Sequence, residues 1–432
     1  MKIRILVITD VIWRNDNGVG NSYSNIFHGM KDVEIANICC QTGVSQNNVS
    51  SCCFQISESS LMANLKNRHT PSGKVERKTD DSDILITHES YILKKIKRSR
   101  LQLFFWIRDI IWSLGRWKSQ ELNAFIDEFK PDLIFAQVQD KMYQNKLVRY
   151  VQEYTKKPLM LYAWDDVYSM RQFSLSPLYW IDRLMQRYSI RKLVEQCNIL
   201  YTISKEQAEE YARTLKKRTE LLYKGRDFAE SPEHGELTRP FKIIYTGNLY
   251  SGRYKTLVRL CKDLQEINKD GSKAVVDIYS GTPLSDKEIS AINIRGTSIF
   301  CGKISEEEVQ KLQSEADILL HIEPFTLKGS LLCRLSFSTK LVDYFHKRKC
   351  IFAVGSGVCS SMKYLKRYDA AVVAESYDEM REKLKDLINN PETVKEYADK
   401  AWNCGENNHR IEDIQNRLLK DFGEVINESC TD

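Results

Sequence analysis

The stretch Arg334–Gly357, RLSFSTKLVDYFHKRKCIFAVGSG, indicates the fold more clearly than any other part of the sequence. Ser338 and Thr339 are residue types that cap helices, and the apolar residues after them recur at helical spacing. A helix is therefore predicted to begin near Ser338. The apolar run Cys350–Val354 that follows is typical of a buried strand.

This stretch also carries groups that suit a phosphate ligand. The first turn of the predicted helix would present free backbone N–H groups beside the hydroxyls of Ser338 and Thr339 and the ammonium of Lys340. Asp343, one turn further along, could accept a hydrogen bond from a sugar hydroxyl next to that phosphate. An ordinary capped helix that leads into a strand explains the same residues, so both interpretations stay open here.

Length and composition restrict the class of protein. A chain of 432 residues is too long for one ordinary core, so we expect two domains of roughly 200 residues each. With 42% hydrophobic and 28% charged residues, the composition is that of a soluble globular protein. The 64 Lys and Arg against 58 Asp and Glu give a net charge of +6, which is too small to indicate a nucleic-acid partner.

The N-terminal sequence and the cysteines indicate the cellular compartment in which the protein is expected to reside. The opening MKIRILVITD has no cleavable signal pattern, and no stretch reaches the roughly 18 uncharged apolar residues that a membrane span needs. We therefore expect a cytoplasmic protein. The 12 cysteines include the adjacent pairs Cys39–Cys40 and Cys52–Cys53 but no CxxC spacing. We expect reduced, partly buried thiols, with neither a zinc site nor a disulfide framework.

The beginning of the chain predicts a strand, a loop and a helix. Ile3–Thr9 is an apolar, β-branched run, and the glycine-bearing loop Asn15–Asn21 separates it from the helical pattern that follows. Gly18 and Gly20 would let this loop approach an anionic ligand closely, because they carry no side chain. A dinucleotide-binding fingerprint is not satisfied, since Tyr23 stands where its third glycine is needed.

The character of the sequence then changes twice. Gln41–Ser90 is mostly polar, and we interpret it as an irregular, family-specific insertion. Lys94–Lys118 holds eight Lys or Arg against the single Asp109, and Leu178–Lys192 is again basic and aromatic. This pattern indicates a surface that lies on an anionic bilayer, whereas a core-facing helix with a solvated basic face is the alternative. The aromatic residues of the first segment are Phe104, Phe105, Trp106, Trp112 and Trp117.

Two predicted strands of the first half end in polar residues. Asp132–Ala136 and Leu159–Ala163 are each introduced by a proline, and ligands in open α/β sheets bind at the carboxyl ends of such strands. Because adjacent side chains of an extended strand point to opposite faces, only one of Asp165 and Asp166 is expected to face a ligand. The candidate ligand-facing residues at the two strand ends are Gln137, Gln139, Trp164, Asp165 and Asp166.

Strands alternate with helices through both halves of the chain, which predicts two doubly wound α/β domains that face a common cleft. Polar residues after Tyr223 mark the boundary, and Phe241–Tyr245 begins the second alternation. We therefore predict an N-terminal Rossmann-like domain, 1–226, and a C-terminal Rossmann-like domain, 227–405. Residues 406–432 are expected to form a C-terminal helix that packs back on the N-terminal domain.

The second half closely resembles the nucleotide-sugar domain of GT-B-fold, retaining glycosyltransferases of family 4, in particular those of bacterial surface-polysaccharide assembly. The resemblance lies in four blocks in the family's order and spacing, whereas the first half matches more loosely. The blocks are YTGNLYSGRYKTL (Tyr245–Leu257), DIYSG (Asp277–Gly281), FCGKISEEEVQKLQSEADILLHIE (Phe300–Glu323) and SFSTKLVDYFHKRKCIFAVGSG (Ser336–Gly357).

The resemblance implies roles for individual residues. Arg253 and Lys255 would bind the donor diphosphate, and Gly18 and Gly20 would face that diphosphate across the cleft. Lys303 and Ile304 would lie beside the nucleobase. Asp343 would bind the ribose, where the family usually has Glu. Gly247 corresponds to the glycine after the first strand of the domain, where the Arg that usually follows is Asn248 here; this difference places the phosphate role on Arg253.

Other residues depart from the family pattern. The first glutamate of the family motif is replaced by Leu335, so either Glu323 or Arg334 would take its place near the donor sugar. The His-Asp often found after an N-terminal-domain strand is Trp164-Asp165 here, and we take Asp165 as the candidate that positions the acceptor. Fixed cations and a helix N-terminus would stabilise the negative charge on the leaving nucleotide diphosphate, so no cofactor and no metal are expected.

The resulting prediction is a retaining glycosyltransferase that transfers a sugar from a nucleotide-diphosphate sugar to a lipid-linked glycan in polysaccharide biosynthesis. The protein would be peripherally associated with the inner face of the cell membrane. The alternatives are a nucleotide-sugar 2-epimerase of the same fold and a catalytically silent nucleotide-sugar-binding scaffold protein.

Overall fold

The structure is a computed structural model that describes residues 2–15, 17–77 and 102–431. Within these ranges, fourteen strands and sixteen helices alternate along the chain. The strands are β1 (Ile3–Thr9), β2 (Val33–Cys39), β3 (Cys52–Ile56), β4 (Gly73–Arg77), β5 (Leu133–Gln137), β6 (Leu159–Ala163), β7 (Ile199–Thr202), β8 (Thr219–Leu221), β9 (Phe241–Thr246), β10 (Ala274–Tyr279), β11 (Ser298–Gly302), β12 (Ile318–Ile322), β13 (Cys350–Val354) and β14 (Val372–Ala374).

The helices lie between these strands and after them. They are α1 (Gly18–Phe27), α2 (Glu58–Lys66), α3 (Gln102–Leu114), α4 (Gln120–Phe129), α5 (Met142–Thr155), α6 (Pro177–Glu195), α7 (Lys205–Leu215), α8 (Arg253–Ile267), α9 (Asp286–Ile292), α10 (Glu306–Glu315), α11 (Leu327–Leu332), α12 (Lys340–His346), α13 (Ser360–Arg367), α14 (Tyr377–Asn389), α15 (Pro391–His409) and α16 (Ile411–Thr431). No helix in the described part of the chain is both long and apolar enough to cross a membrane.

Two sheets form the cores of the two domains. The N-terminal sheet has eight strands in the order β4-β3-β2-β1-β5-β6-β7-β8, and the C-terminal sheet has six in the order β11-β10-β9-β12-β13-β14. Only the β3–β4 pair is antiparallel among the described ladders. The predicted pair of doubly wound α/β domains is confirmed.

Buried apolar runs account for the strands that the sequence predicted with correct bounds. β1, β6 and β13 agree with the prediction residue for residue, and β6 and β13 are buried along their whole length. Such continuous runs are expected when helices cover both faces of a parallel sheet.

The irregular structure predicted for Gln41–Ser90 is wrong for residues 52–77, whereas residues 41–51 form no helix or strand. Residues 52–77 form β3, α2 and β4, which extend the N-terminal sheet at one edge. β4 is the edge strand, where fewer apolar residues are needed than at the centre of a sheet, whereas β3 lies between β2 and β4 and is largely buried. Residues 78–90 lie outside the described residues.

The C-terminal helix α16 packs on the N-terminal domain. Asp421 Oδ2 accepts a hydrogen bond from the Tyr201 hydroxyl at 2.6 Å, and the Phe422 ring contacts that of Phe135. Gln415 donates to two carbonyls at the end of α1. The helix thus ties the end of the chain back to its first domain.

The basic segment 94–118 is only partly described. Lys94, Lys95, Lys97 and Arg98 lie outside the described residues, as does the rest of the segment up to Leu101. Trp112 and Trp117 are buried in the core of the N-terminal domain, so their predicted insertion into a membrane is wrong. Trp112 stacks on Tyr143 and Trp117 donates to the Trp112 carbonyl, which are contacts of a packed interior.

The cysteines are free thiols wherever the structure describes their side chains. All of these are buried except Cys52, which is half-buried, and Cys301, which is exposed. The Sγ atoms of Cys39 and Cys53 lie 3.4 Å apart, within hydrogen-bond distance, and do not form a disulfide bond.

Candidate active site

The C-terminal sheet changes direction between β9 and β12, and a cavity of about 120 Å³ lies at the carboxyl ends of these two strands. Open α/β sheets bind their ligands at such a switch point. Asn248 follows β9, and Glu323 follows β12. The polar residues that line the cavity are Tyr245, Asn248, Arg253, His321, Glu323, Ser336, Ser338, Lys340 and Tyr344.

Arg253, the first residue of α8, faces this cavity and is held by the end of β12. Its Nη2 donates to Glu323 Oε2 at 2.7 Å, and its Nε donates to the Ile322 carbonyl at 3.1 Å. Burial alone would raise the pKa of Glu323, but the contact with His321 and the charge of Arg253 outweigh burial and lower that pKa to about 2. Glu323 is therefore an ionised group that positions Arg253.

His321 lies beside Glu323 on the same face of β12. Its Nε2 is 3.5 Å from Glu323 Oε1, which is too long for a well-formed hydrogen bond, and this buried atom has no other partner among the described residues. Burial lowers the pKa of His321, so the ring is neutral at pH 7. His321 was not among the residues predicted from the sequence. A His two positions before a Glu at the end of an apolar strand could have indicated it, because both side chains then lie on one face.

Lys340 supplies a second cation to the cavity. Its Nζ donates to the Thr246 carbonyl at 2.8 Å, and burial together with the charge of Arg253 lowers the pKa of Lys340 to about 8. A Cβ at Gly247 would lie 2.0 Å from this Nζ, so the glycine leaves space for the ammonium. Two cations against the single carboxylate of Glu323 make this cavity suitable for an anion.

The remaining predicted residues of the Arg334–Gly357 stretch divide between the cavity and the domain junction. Ser338 lines the cavity, and Thr339 stands at the N-cap position of α12 but its side chain makes no capping hydrogen bond. Asp343 instead accepts hydrogen bonds from Lys224 Nζ at 2.8 Å and Arg226 Nη2 at 2.6 Å. A ribose hydroxyl would have to share the Asp343 carboxylate with these two cations, so its ribose role stays a prediction.

The structure does not bring Lys255 to Arg253. The two residues are separated by two positions on α8 and therefore point to opposite sides of the helix, and Lys255 is exposed. Lys303 and Ile304 follow β11 at the carboxyl edge of the same sheet, and the Lys303 side chain lies over Gly281. Their role beside a nucleobase stays a prediction.

Gly18 and Gly20 lie in the first turn of α1 and not in a loop, which corrects the predicted helix start at Ser22. A Cβ at Gly20 would lie 2.1 Å from the Arg14 carbonyl oxygen, so this glycine allows the preceding loop to pack on the helix. A Cβ at Gly18 would meet no atom of the described residues within 4 Å. Their contact with a diphosphate stays a prediction.

Asp165, at the carboxyl end of β6, faces the C-terminal domain. Its Oδ1 accepts a hydrogen bond from Ser336 Oγ at 3.2 Å. Asp165 keeps solvent-exposed surface, but both domains crowd around it, and this desolvation raises the pKa of its carboxyl to about 6. Asp166 points the other way, where it caps the Ser169 N–H at 2.8 Å and pairs with Arg183, as expected from strand alternation.

The other predicted residues at the ends of β5 and β6 do not line the cavity at the C-terminal sheet. Gln137 is buried, and its Oε1 has no hydrogen-bond partner in the described part of the protein. Gln139 donates no side-chain hydrogen bond in that part, and its backbone carbonyl accepts from Asn145. Trp164 is half-buried, with its ring against those of Tyr23 and Tyr162.

Arg334, which the sequence offered as an alternative to Glu323, does not line the cavity. Its guanidinium donates two hydrogen bonds to the carboxylate of Glu210 on α7, at 2.6 and 2.9 Å. It also lies 3.7 Å from Asp166 Oδ2. Arg334 therefore joins the two domains, and Glu323 is the residue of the pair that lies at the cavity.

Comparisons with known proteins extend the description of the fold. No protein-family model and no curated protein sequence matches the chain. The structure is similar to that of HepE from Anabaena in complex with UDP, with a TM-score of 0.61 and 10% identity over 98% of this chain and 100% of that one. Sucrose-phosphate synthase from Thermosynechococcus elongatus gives a TM-score of 0.62 and 11% identity, covering 99% and 100% of the two chains.

A third similar structure is the N-terminal domain of trehalose-6-phosphate phosphatase from Candida albicans, with a TM-score of 0.61 and 13% identity over 98% of this chain and 97% of that one. These similarities extend over both domains. Together with the two doubly wound sheets, they show that the chain has the GT-B fold.

Proposed function

We propose that the protein is a glycosyltransferase that uses a nucleotide-diphosphate sugar as its donor. The observation that carries this proposal is the pairing of Arg253 and Lys340 at the switch point of the C-terminal sheet. A GT-B-fold chain with this arrangement offers two fixed cations where a ligand diphosphate would lie. HepE, which has a similar fold, is described in complex with UDP and with UDP-glucose, so UDP-glucose is the first donor to test.

The chemistry follows from where charge develops. Cleavage of the anomeric C–O bond leaves negative charge on the nucleotide diphosphate, and Arg253 and Lys340 would stabilise that charge in the transition state. We propose that the acceptor hydroxyl attacks from the same face and gives its proton to the leaving phosphate, which retains the anomeric configuration. Positive charge comes from the protein, so the proposal includes no metal and expects turnover in the presence of a chelator.

Asp165 would hold the acceptor. It lies opposite the donor cavity and already contacts Ser336, a residue of the cavity wall. Its pKa of about 6 leaves the carboxylate ionised at pH 7, so it can accept a hydrogen bond from an acceptor hydroxyl. We propose a glycan acceptor, lipid-linked, for polysaccharide biosynthesis at the inner face of the cell membrane.

Hydrolysis of UDP-glucose in the absence of acceptor tests the proposal. A glycosyltransferase should release glucose slowly, with GDP- and ADP-glucose as comparisons for the nucleobase, whereas binding without release would indicate a scaffold. An epimerase would give an altered nucleotide sugar in place of the free sugar. With an acceptor in hand, Asp165→Asn should lose transfer but keep hydrolysis, and Asp270→Asn, which changes an exposed carboxylate on the C-terminal domain, should keep both.

A further inference from the structure

Helix α6 exposes an apolar stripe that no other element in the described part of the protein covers. Its members recur at intervals of three or four residues, so they share one face of the helix. Each is between 45% and 62% exposed, although large apolar side chains are usually buried in a folded protein. These residues are Leu178, Ile181, Leu184, Met185 and Tyr188.

A second exposed stripe lies on helix α3. Ile107, Ile110 and Leu114 are 43% to 64% exposed and have the same spacing. Trp106 Nε1 donates to Asp182 Oδ1 at 3.0 Å, which joins α3 to α6. We call the eight residues of the two stripes the apolar face. The loop before α6 adds Leu175, whose exposed fraction is 89%.

Helix α6, which carries most of the apolar face, is firmly packed on the N-terminal domain. The opposite side of α6 is packed in the domain core through Ile190, Leu193 and Val194. An exposed apolar area spread over two joined helices is larger than the scattered residues that soluble monomers tolerate, so it marks an interaction surface.

The charge around the apolar face identifies the partner. Between Met170 and Lys192 the sequence holds five basic residues and one acidic residue, Asp182. Asp182 is buried and accepts hydrogen bonds from Trp106 and Gln186, so it does not offset the basic charge at the surface. Of the five basic residues, Arg183 is also buried and pairs with Asp166. Four basic residues therefore keep exposed surface: Arg171, Arg187, Arg191 and Lys192.

We infer that the apolar face inserts into the surface of an anionic lipid bilayer, with the basic residues around it contacting lipid phosphates. A helix that lies in a membrane interface has this composition, with aliphatic residues on one side and Lys or Arg around them. The inference moves the membrane contact from Trp112 and Trp117, which are buried, to side chains that are exposed.

The apolar face is rigidly connected to the proposed acceptor side of the cleft. Arg183 of α6 donates hydrogen bonds to the carbonyls of Asp166 at 3.0 Å and Ser169 at 2.7 Å. Asp165 immediately precedes Asp166 in the sequence. A lipid-linked acceptor held in the bilayer would therefore approach the cleft from the N-terminal domain, to which Asp165 belongs. This consequence rests on the proposed function, whereas the membrane contact does not.

Co-sedimentation of the full-length protein with vesicles tests the inference. The vesicles are phosphatidylcholine alone, or phosphatidylcholine with about 30 mol% phosphatidylglycerol to give an anionic surface. We expect binding to the anionic vesicles, weak binding to the neutral ones, and release as salt shortens the screening length below about 8 Å. The triple variant Ile181→Gln, Leu184→Gln, Met185→Gln should bind at least about tenfold more weakly, because three inserted side chains are lost.

Ile299→Gln is the matched control, since Ile299 is 58% exposed on β11 of the other domain and should not change vesicle binding. Glutamine keeps helix propensity, and an unchanged thermal midpoint would show that the triple variant is folded. Failure of the wild-type protein to bind anionic vesicles, or binding by the folded triple variant within about twofold of wild type, would overturn the inference. If the apolar face instead binds a second copy of the chain or another protein, the wild-type protein should fail to bind anionic vesicles.

A separate measurement distinguishes this failure from failure of the proposed function. The triple variant should hydrolyse UDP-glucose in the absence of vesicles as fast as the wild type, because the donor cavity lies in the other domain. Vesicle binding that depends on the apolar face but occurs in a protein that does not turn over any donor would leave the inference standing and remove the enzyme assignment.

Discussion

At the scale of single residues, the candidate site depends on an ion pair that water hardly reaches. The side chain of Glu323 is 3% exposed and that of Arg253 is 18% exposed. The pair fixes the guanidinium before a ligand arrives, so little reorganisation is needed when a diphosphate binds. The carboxylate thus acts on the donor through the arginine and not by contact with the sugar.

Arg253→Ala should lower kcat/KM for the donor by roughly ten- to a thousandfold, because it removes a fixed cation from the developing charge. The variant should also be less stable by about 3–5 kcal/mol, since Glu323 would be left as a buried, unpaired charge. Steady-state kinetics and urea unfolding measure the two effects. Arg259→Ala, on the same helix but at a side chain that is 47% exposed, should leave kcat/KM within about twofold. A folded Arg253→Ala protein with wild-type kcat/KM would refute the assignment.

Lys340 makes donor binding dependent on pH. Its pKa of about 8 means that the ammonium loses its proton above pH 8, so the donor Kd should rise by up to about tenfold per pH unit there. Calorimetric titration of donor from pH 7 to 9.5 measures this slope, and Lys340→Gln should bind weakly without it. A wild-type Kd that is constant up to pH 9.5 would contradict a role for the charged lysine.

The same shift affects stability with a defined sign. The pKa of Lys340 is lower in the folded protein than its ordinary value of 10.5, so the unfolded chain binds more protons between pH 8 and 10.5. The contribution of Lys340 to the free energy of unfolding therefore rises with pH in this window. Below pH 8 the buried ammonium is a constant destabilising contribution, which a ligand phosphate would offset.

At the scale of elements, α16 holds the end of the chain on the N-terminal domain. Its buried residues Ile414, Leu418, Phe422 and Val425 recur at helical spacing and join the same core as β1 and β5. A helix with such a stripe is stabilised mainly by what it packs against and only slightly by its own propensity. The N-terminal domain and α16 therefore stabilise each other.

Phe422→Ala should destabilise the protein by about 3–5 kcal/mol, because a fully buried ring that contacts Phe135 would leave a cavity. The midpoint of urea unfolding measures this loss. Lys420→Ala, two residues earlier at a side chain that is 77% exposed, should change stability by less than about 0.5 kcal/mol. Equal midpoints for the two variants would show that α16 contributes nothing to the N-terminal core.

At the scale of the whole molecule, hydrogen bonds and ion pairs hold the two domains together. Ser204 Oγ donates to the Leu335 carbonyl at 2.6 Å, close to the Arg334–Glu210 pair. Asp343 with Lys224 and Arg226 joins the domains at a second point. These contacts fix the separation between Asp165 and the donor cavity, which the proposed transfer requires.

A double-mutant cycle at the interface tests this arrangement. Arg334→Ala and Glu210→Ala should each reduce thermal stability, and their combination should fall short of the sum by about 1–3 kcal/mol, since the side chains are only 10% and 14% exposed. The same cycle on Lys242 and Glu315, a more exposed pair within the C-terminal domain, should give a coupling below about 1 kcal/mol. Equal coupling in the two cycles would show that the Arg334 pair does not hold the domains together.

The features that could be predicted from the sequence are those that depend on neighbours along the chain. Continuous apolar runs predicted β1, β6 and β13, and the repeated alternation predicted two α/β domains, because burial on both faces of a parallel sheet leaves a local pattern. The edge strand β4 was missed because edge strands need few apolar residues, and β3, which is paired on both sides, was missed because its run of five residues is short and includes a polar one. The resemblance of four blocks to GT-B glycosyltransferases added the fold, which the structure confirms.

Only the tertiary structure decided which candidate residues meet. Arg253 and Glu323 are 70 positions apart and are joined because β9 and β12 are neighbours in the sheet. Asp343 appeared free for a ribose, but Lys224 and Arg226, more than a hundred positions away, hold its carboxylate. Trp112 appeared suited to a membrane, yet it is buried, because hydrophobic spacing marks an apolar side of a helix without saying what covers it. Long-range packing supplied each answer, and no local pattern encodes it.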